Sequence, residues 1–155
     1  MHLKFPLHGD APLMSVRLAL PGRDAQDVYR AGGKPPDPIS AQALISTGHE
    51  VCFISRGCVE RLALPRNGWA DYGGDPLVGA VRRFDAVRIR VLIVGDDGAE
   101  AFAEPHTLVV DGPIWNDVDI LLGFNFLRNF VFTFDGPLGI AGLVWKFSRA
   151  PGHGG

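Results

Sequence analysis

Between Val87 and Ile93 the chain alternates, with Val87, Ile89, Val91 and Ile93 at one parity and Arg88 and Arg90 at the other. A period of two residues puts one set on each face of a pleated strand, so this stretch is expected to form a strand with one buried side. The turn signal Gly95-Asp96-Asp97-Gly98 follows at once, and Ala99 to Val110 is expected to return as the antiparallel partner. The same character recurs along the chain. Leu13 to Leu20 carries Met14, Val16, Leu18 and Leu20 on one face. The short apolar runs Gln42 to Ile45 and Val51 to Ile54 flank Ser46-Thr47-Gly48, which reads as strand, tight turn, strand. Asp119 to Leu122 reads as a buried strand stopped by Gly123. Phe130, Phe132 and Phe134 alternate with Val131 and Thr133, and Ile140 to Phe147 follows the turn from Asp135 to Gly139 as a last strand.

Helical signals are few. Ser55 can cap a short helix running through about Leu64, before Pro65, and Asn125 to Asn129 reads as a helical turn. Pro21 to Ser40 holds four prolines and three glycines with little apolar periodicity, and is expected to be a long, mobile connection. Many short strands with one or two short helices predict an all-β domain closed into a barrel. Its expected span is 13–147, after an N-terminal extension over 1–12 and before a disordered tail over 148–155.

Length and charge exclude several classes. At 155 residues the chain suits one domain, and a domain of this size buries roughly two-thirds of its unfolded surface without a staple. Cys52 and Cys58 make no disulfide framework, and no Cys/His quartet has zinc spacing, so two free thiols, no metal and no cofactor are expected. The net charge of −2 creates no field toward nucleic acid or acidic membranes. Arg82, Arg83, Arg88 and Arg90 are a local exception, read as a solvated strand face, with phosphate or nucleic-acid binding as the minor alternative. No apolar run approaches the 18 or so residues of a membrane span, which predicts a soluble, cytoplasmic protein with no membrane partner.

Two segments carry a resemblance. The first is Ala43-Leu44-Ile45-Ser46-Thr47-Gly48-His49-Glu50-Val51-Cys52-Phe53-Ile54-Ser55, and the second is Ile120-Leu121-Leu122-Gly123-Phe124-Asn125-Phe126-Leu127. Together, at this spacing and with the ending Phe132 to Pro137, they resemble the retropepsin-like (retroviral-type) aspartic protease family in a small bacterial-style form. The resemblance covers Leu13 to Phe147. It implies the acid-protease type of barrel and a homodimer, because each chain carries one copy of the motif. It also implies an extended peptide or protein segment as the ligand.

In that family two aspartates, one from each half of the site, lie too close for both to ionise and so share a proton. One activates the attacking water and the other protonates the oxyanion. Thr47 and Gly48 match the residues that bond across to the other half and let the backbone turn tightly. Ile120, Leu121 and Leu122 match the apolar strand beside the loop, and Gly123 the point of close approach. A flap is expected within Asn67 to Arg83, with Gly68, Gly73, Gly74 and Gly79 giving mobility and Trp69 and Tyr72 covering the ligand.

Two departures decide the expected activity. Ser46 stands where the family has its catalytic Asp, and His49 stands where it has Ala or Ser. A serine hydroxyl does not ionise near neutral pH, so the chain as written is expected to lack aspartic protease activity and to act as a dimeric peptide-binding module. The alternative is an active aspartic endopeptidase in its native form, with Ser46 a replacement that silences it. Across a tight turn, Ser46 and His49 are not expected to reach each other as a nucleophile and base. His49 is expected beside the bound peptide, and His106, next to Pro105, is read as a local turn histidine.

Overall fold

The computed structural model describes residues 1–9, 11–74, 79–112, 114–115 and 117–145. Within them the order is β1 (His2–Pro6), β2 (Leu13–Ala19), α1 (Gly22–Arg30), β3 (Ile39–Ile45), β4 (Cys52–Ser55) and α2 (Arg56–Arg61). Then follow β5 (Arg66–Tyr72), β6 (Arg82–Arg88), β7 (Arg90–Val94), β8 (Glu100–Ala103) and β9 (His106–Val110). The chain ends in β10 (Ile120–Leu122), α3 (Phe124–Leu127), β11 (Phe130–Asp135) and β12 (Ile140–Trp145). The tail expected over 148–155 lies outside the described residues.

Nine strands form one curled sheet in the order β5-β6-β9-β4-β10-β3-β2-β7-β8, and three more form a smaller sheet, β1-β12-β11. The expectation of an all-β domain holds, with a correction to its closure. Among the described residues β5 and β8 are free edges that do not pair, so the large sheet is a half-barrel. Residues 2–6, inside the N-terminal extension, pair with β12 from His2↔Val144 to Pro6↔Ile140. Phe5, Phe130 and Leu143 carry the small sheet into the same core as the large one.

The long alternating strand is two strands. β6 ends at Arg88 and β7 begins at Arg90, and the return is likewise split into β8 and β9 around Glu104-Pro105. Proline donates no ladder hydrogen bond, so the return strand breaks there and both arms bend together. One arm then pairs β6 with β9, while the other pairs β7 with β8 and β2. The parity survives the bend: Val87, Ile89, Val91 and Ile93 are all at most 2% exposed.

The connection after β2 is also corrected. Pro21 to Ser40 contains α1 and the first two residues of β3. No residue of α1 is fully buried, and only Ala25 and Val28 pack on the core, which leaves too little apolar periodicity to read. Local electrostatics and one anchor stabilise this helix. Asp24 lies in its first turn and Arg30 in its last, each favourable to the helix dipole. The Gly22 N–H donates to Glu104 Oε1 at 3.0 Å, and the same oxygen takes Arg90 Nη2 at 2.6 Å.

α2 starts after Ser55, whose side chain makes no capping bond to the helix backbone, and it stops at Arg61. Ala63 then takes a left-handed φ of 48°, which ends the helix before Pro65.

Candidate functional site

The site is assembled by a parallel pair. β3 and β10 run side by side with Ile120↔Ala43 and Leu122↔Ile45, and β10 pairs antiparallel with β4 on its other side. Parallel pairing brings the C-terminal ends of β3 and β10 together, so the loop after β3 meets Gly123. The Ser46 N–H donates to the Leu122 carbonyl at 3.0 Å. Past Gly123, the Phe124 N–H donates to the His49 carbonyl at 2.8 Å and the Asn125 N–H to the Glu50 carbonyl at 2.9 Å. A Cβ at Gly123 would lie 2.2 Å from the Val51 carbonyl oxygen and 2.9 Å from that of His49. Only a hydrogen fits there.

Thr47 and Gly48 are the exposed apex of the turn, with Ser46 and His49 half-buried at its corners. Here the expectation that Ser46 and His49 stay apart is overturned. Ser46 Oγ lies 2.7 Å from His49 Nδ1, and the Gly48 N–H donates to the same Oγ at 3.3 Å. The reason is the turn itself: its first and fourth residues are brought within about 7 Å at Cα, close enough for short side chains to meet. The His49 ring meets Phe53 edge-on, with centroids 5.7 Å apart, and Phe53 meets Tyr72 and Phe84 in the same way.

His49 opens onto a cleft of about 800 Å³. Its apolar lining includes Phe53, Phe84 and Leu121, with Ile114 and Trp115 also at the cleft. Phe53, Phe84 and Leu121 belong, with Ala86 and Leu108, to a second buried cluster on the face of the sheet opposite the main core. That is why β10 reads as an unbroken apolar run: Ile120 and Leu122 enter the main core, and Leu121 lies beneath the cleft. The charged lining is largely paired. Arg56 reaches both Asp111 and Asp85, and Arg66 Nη2 contacts Asp85 at 3.0 Å.

The expected flap corresponds to the hairpin of β5 and β6, of which residues 75–78 lie outside the described residues. Gly73 and Gly74 take φ of 134° and 85°, and a Cβ on Gly73 would lie 2.6 Å from the Ala80 carbonyl oxygen, so the two arms cross closely there. Tyr72 packs on Phe53 beneath the hairpin. Trp69 does not line the cleft. It is half-exposed under the Arg83 guanidinium, 3.5 Å from its ring centroid, and Arg83 also bonds Asp71 at 3.1 Å. Arg90 is held by Glu104 and Arg82 lies over Phe84, while Arg82 and Arg83 both line the cleft, so the arginines read together in sequence do not act as one patch. No group of three or more His, Cys, Asp or Glu side chains gathers as a metal site among the described residues, and no helix among them is long and apolar enough to cross a membrane.

Several site residues carried no sequence signal. Phe84 comes from β6 and Asp111 and Trp115 from the connection between β9 and β10, and the two segments meet at the cleft. Behind the loop, Cys52 Sγ donates to Asn125 Oδ1 at 3.0 Å and accepts from the Gly123 N–H at 3.4 Å, while Asn125 Nδ2 donates to the His106 carbonyl at 2.7 Å. This chain of bonds ties α3 to β4 and β9. Burial pushes the Cys52 thiol up to about 12, so it is a packing and hydrogen-bonding group rather than a reactive one.

No family model and no curated relative matches the chain. Its fold does match solved structures. The crystal structure of a retropepsin-like aspartic protease from Rickettsia conorii superposes with a TM-score of 0.55 over 92% of this chain and 89% of that one, at 12% identity. EIAV protease complexed with the inhibitor HBY-793 gives a TM-score of 0.46 over 78% of this chain and 88% of that one, at 16% identity. At 12% identity the first likeness establishes a retropepsin-like fold and says nothing about chemistry.

Proposed function

We propose that this chain is a retropepsin-like module that binds an extended peptide or protein segment as a symmetric homodimer and does not cleave it by the aspartic mechanism. The observation that carries this reading is the loop between β3 and β4, clamped against Gly123 at the side of a large cleft, with the Ser46 hydroxyl at its corner. A hydroxyl cannot share a proton as a carboxylate pair does. The carboxylates that line the cleft offer no substitute, since Asp85 and Asp111 are both engaged by Arg56.

The binding surface outlives the lost carboxylate. Phe53, Phe84 and Leu121 provide an apolar floor for side chains, and the unpaired edge of β5 offers main-chain groups to an extended ligand. One loop per chain supplies half of a two-fold site, so the second half comes from a second copy, with Thr47 facing it across the axis. Fluorescence polarisation with labelled extended peptides, run beside light scattering, tests both parts. Saturable binding by a species of dimer mass is expected. Absence of binding to any extended peptide library would refute the binding role, and a monomer mass at tens of micromolar would refute a stable dimer.

A further inference from the structure

The loop without its carboxylate carries another reactive arrangement. Ser46 Oγ accepts from the Gly48 N–H at 3.3 Å and lies 2.7 Å from His49 Nδ1. In the neutral imidazole tautomer that carries its proton on Nε2, the Ser46 hydroxyl donates to Nδ1 across this distance. This is the relation between a serine nucleophile and its base. Both partners are held in place: Ser46 by its N–H on the Leu122 carbonyl, and the His49 ring by its edge contact with buried Phe53. His49 lines the cleft and Ser46 is half-buried beside it.

We propose that Ser46 is a nucleophile with His49 as its base, and that it takes the acyl group of small activated esters entering the cleft. Oγ attacks the ester carbonyl as its proton passes to Nδ1. The bond to the leaving alcohol breaks, and the alcohol departs with the proton from Nδ1. Water then attacks the acyl-Ser46 carbonyl, Nδ1 takes its proton, the carboxylic acid leaves and Oγ recovers the proton. No carboxylate holds the far side of the ring among the described residues, and a triad deprived of its acid loses roughly ten-thousand-fold in rate. That restricts the pair to good leaving groups and excludes peptide amides, so the chemistry is independent of the peptide-binding role.

The test uses p-nitrophenyl acetate as the acyl donor, with p-nitrophenolate release followed by absorbance and the adduct located by mass mapping. An acetyl adduct on Ser46 is expected, and none at that position in Ser46→Ala. His49→Gln keeps an acceptor for the Ser46 hydroxyl but no base. It is expected to slow acylation by about a hundredfold or more, with an unchanged circular dichroism spectrum and melting temperature. Acylation at the parent rate in a folded His49→Gln protein would overturn the proposal. So would an adduct found only on lysines, the N-terminus or His49, or a parent protein with neither an adduct on Ser46 nor p-nitrophenolate release above that of Ser46→Ala. Peptide binding measured on the same samples separates a failure here from a failure of the binding role.

Discussion

Gly123→Ala is the sharpest probe of how the site is assembled. Gly123 has an ordinary φ of −89°, so alanine meets no backbone conformational penalty. The cost is steric. The new Cβ would lie 2.2 Å from the Val51 carbonyl oxygen, 2.6 Å from its carbon and 2.9 Å from the His49 carbonyl oxygen, all of them backbone atoms. No side-chain rotation relieves such a clash, so the strand entering β4 must move away from α3. Overpacking of this kind costs about 1–3 kcal/mol. The movement also strains the Phe124 and Asn125 N–H bonds to the His49 and Glu50 carbonyls, each worth about 1 kcal/mol. The expected loss is about 3–5 kcal/mol, a large part of the roughly 5–15 kcal/mol of a typical domain. Urea unfolding at matched slope measures it through the midpoint. Gly57→Ala, in α2 with nothing within 4 Å of its Cβ, is the internal control and should be neutral or stabilising by up to ~1 kcal/mol. A Gly123→Ala protein within about 0.5 kcal/mol of the parent would show that the loop and α3 are not in backbone contact, and the account of the site would fail with it.

The remaining predictions concern chemistry and anchoring. Ser46→Asp combined with His49→Ala should gain peptide hydrolysis with an acid-side optimum, blocked by transition-state mimics, because it returns a carboxylate to each half of the proposed dimer. A folded, dimeric double variant that stays inactive from acid to neutral pH would show that more than one residue of the site has been lost. For Cys52, the folded thiol lies at about 12 against 9.0 unexposed to the fold, and burial is the main cause. The unfolded state therefore loses its proton first. This contribution to stability is complete below pH 9 and falls as pH rises toward 12, so urea midpoints should drop over that window in the parent and drop less in Cys52→Ala. Glu104→Ala should cost about 1–2 kcal/mol, because it frees the half-buried Arg90 and the Gly22 N–H together. Hydrogen exchange localised to α1 should rise in that variant, and unchanged protection there would refute the anchoring role.

Much of the strand content was legible because a period of two is a local property. Each of Val87, Ile89, Val91 and Ile93 shows its facing through its neighbours alone, and the pattern persists through a bend that the sequence does not mark at Ile89. The bend became visible only in the return strand, where Pro105 cannot donate. The helix over Gly22 to Arg30 was missed for the opposite reason: it buries almost nothing, so burial left no imprint on its composition.

The site divides along the same line. The chain by itself determined two apolar segments, the Ser-Thr-Gly turn between strands and the absence of a carboxylate at Ser46, since these are matters of residue type and short-range order. Tertiary structure decided which groups meet. The parallel register of β3 on β10 joins positions 77 apart, Ala43 with Ile120, and so sets the loop against Gly123. The folded turn, held there by backbone bonds, brings Ser46 Oγ to His49 Nδ1. Phe84 shares a cleft with Asp111 and Trp115 only because β6 and the connection after β9 converge. Contacts of this kind depend on backbone geometry summed over the whole fold, and no window of neighbouring residues contains that sum.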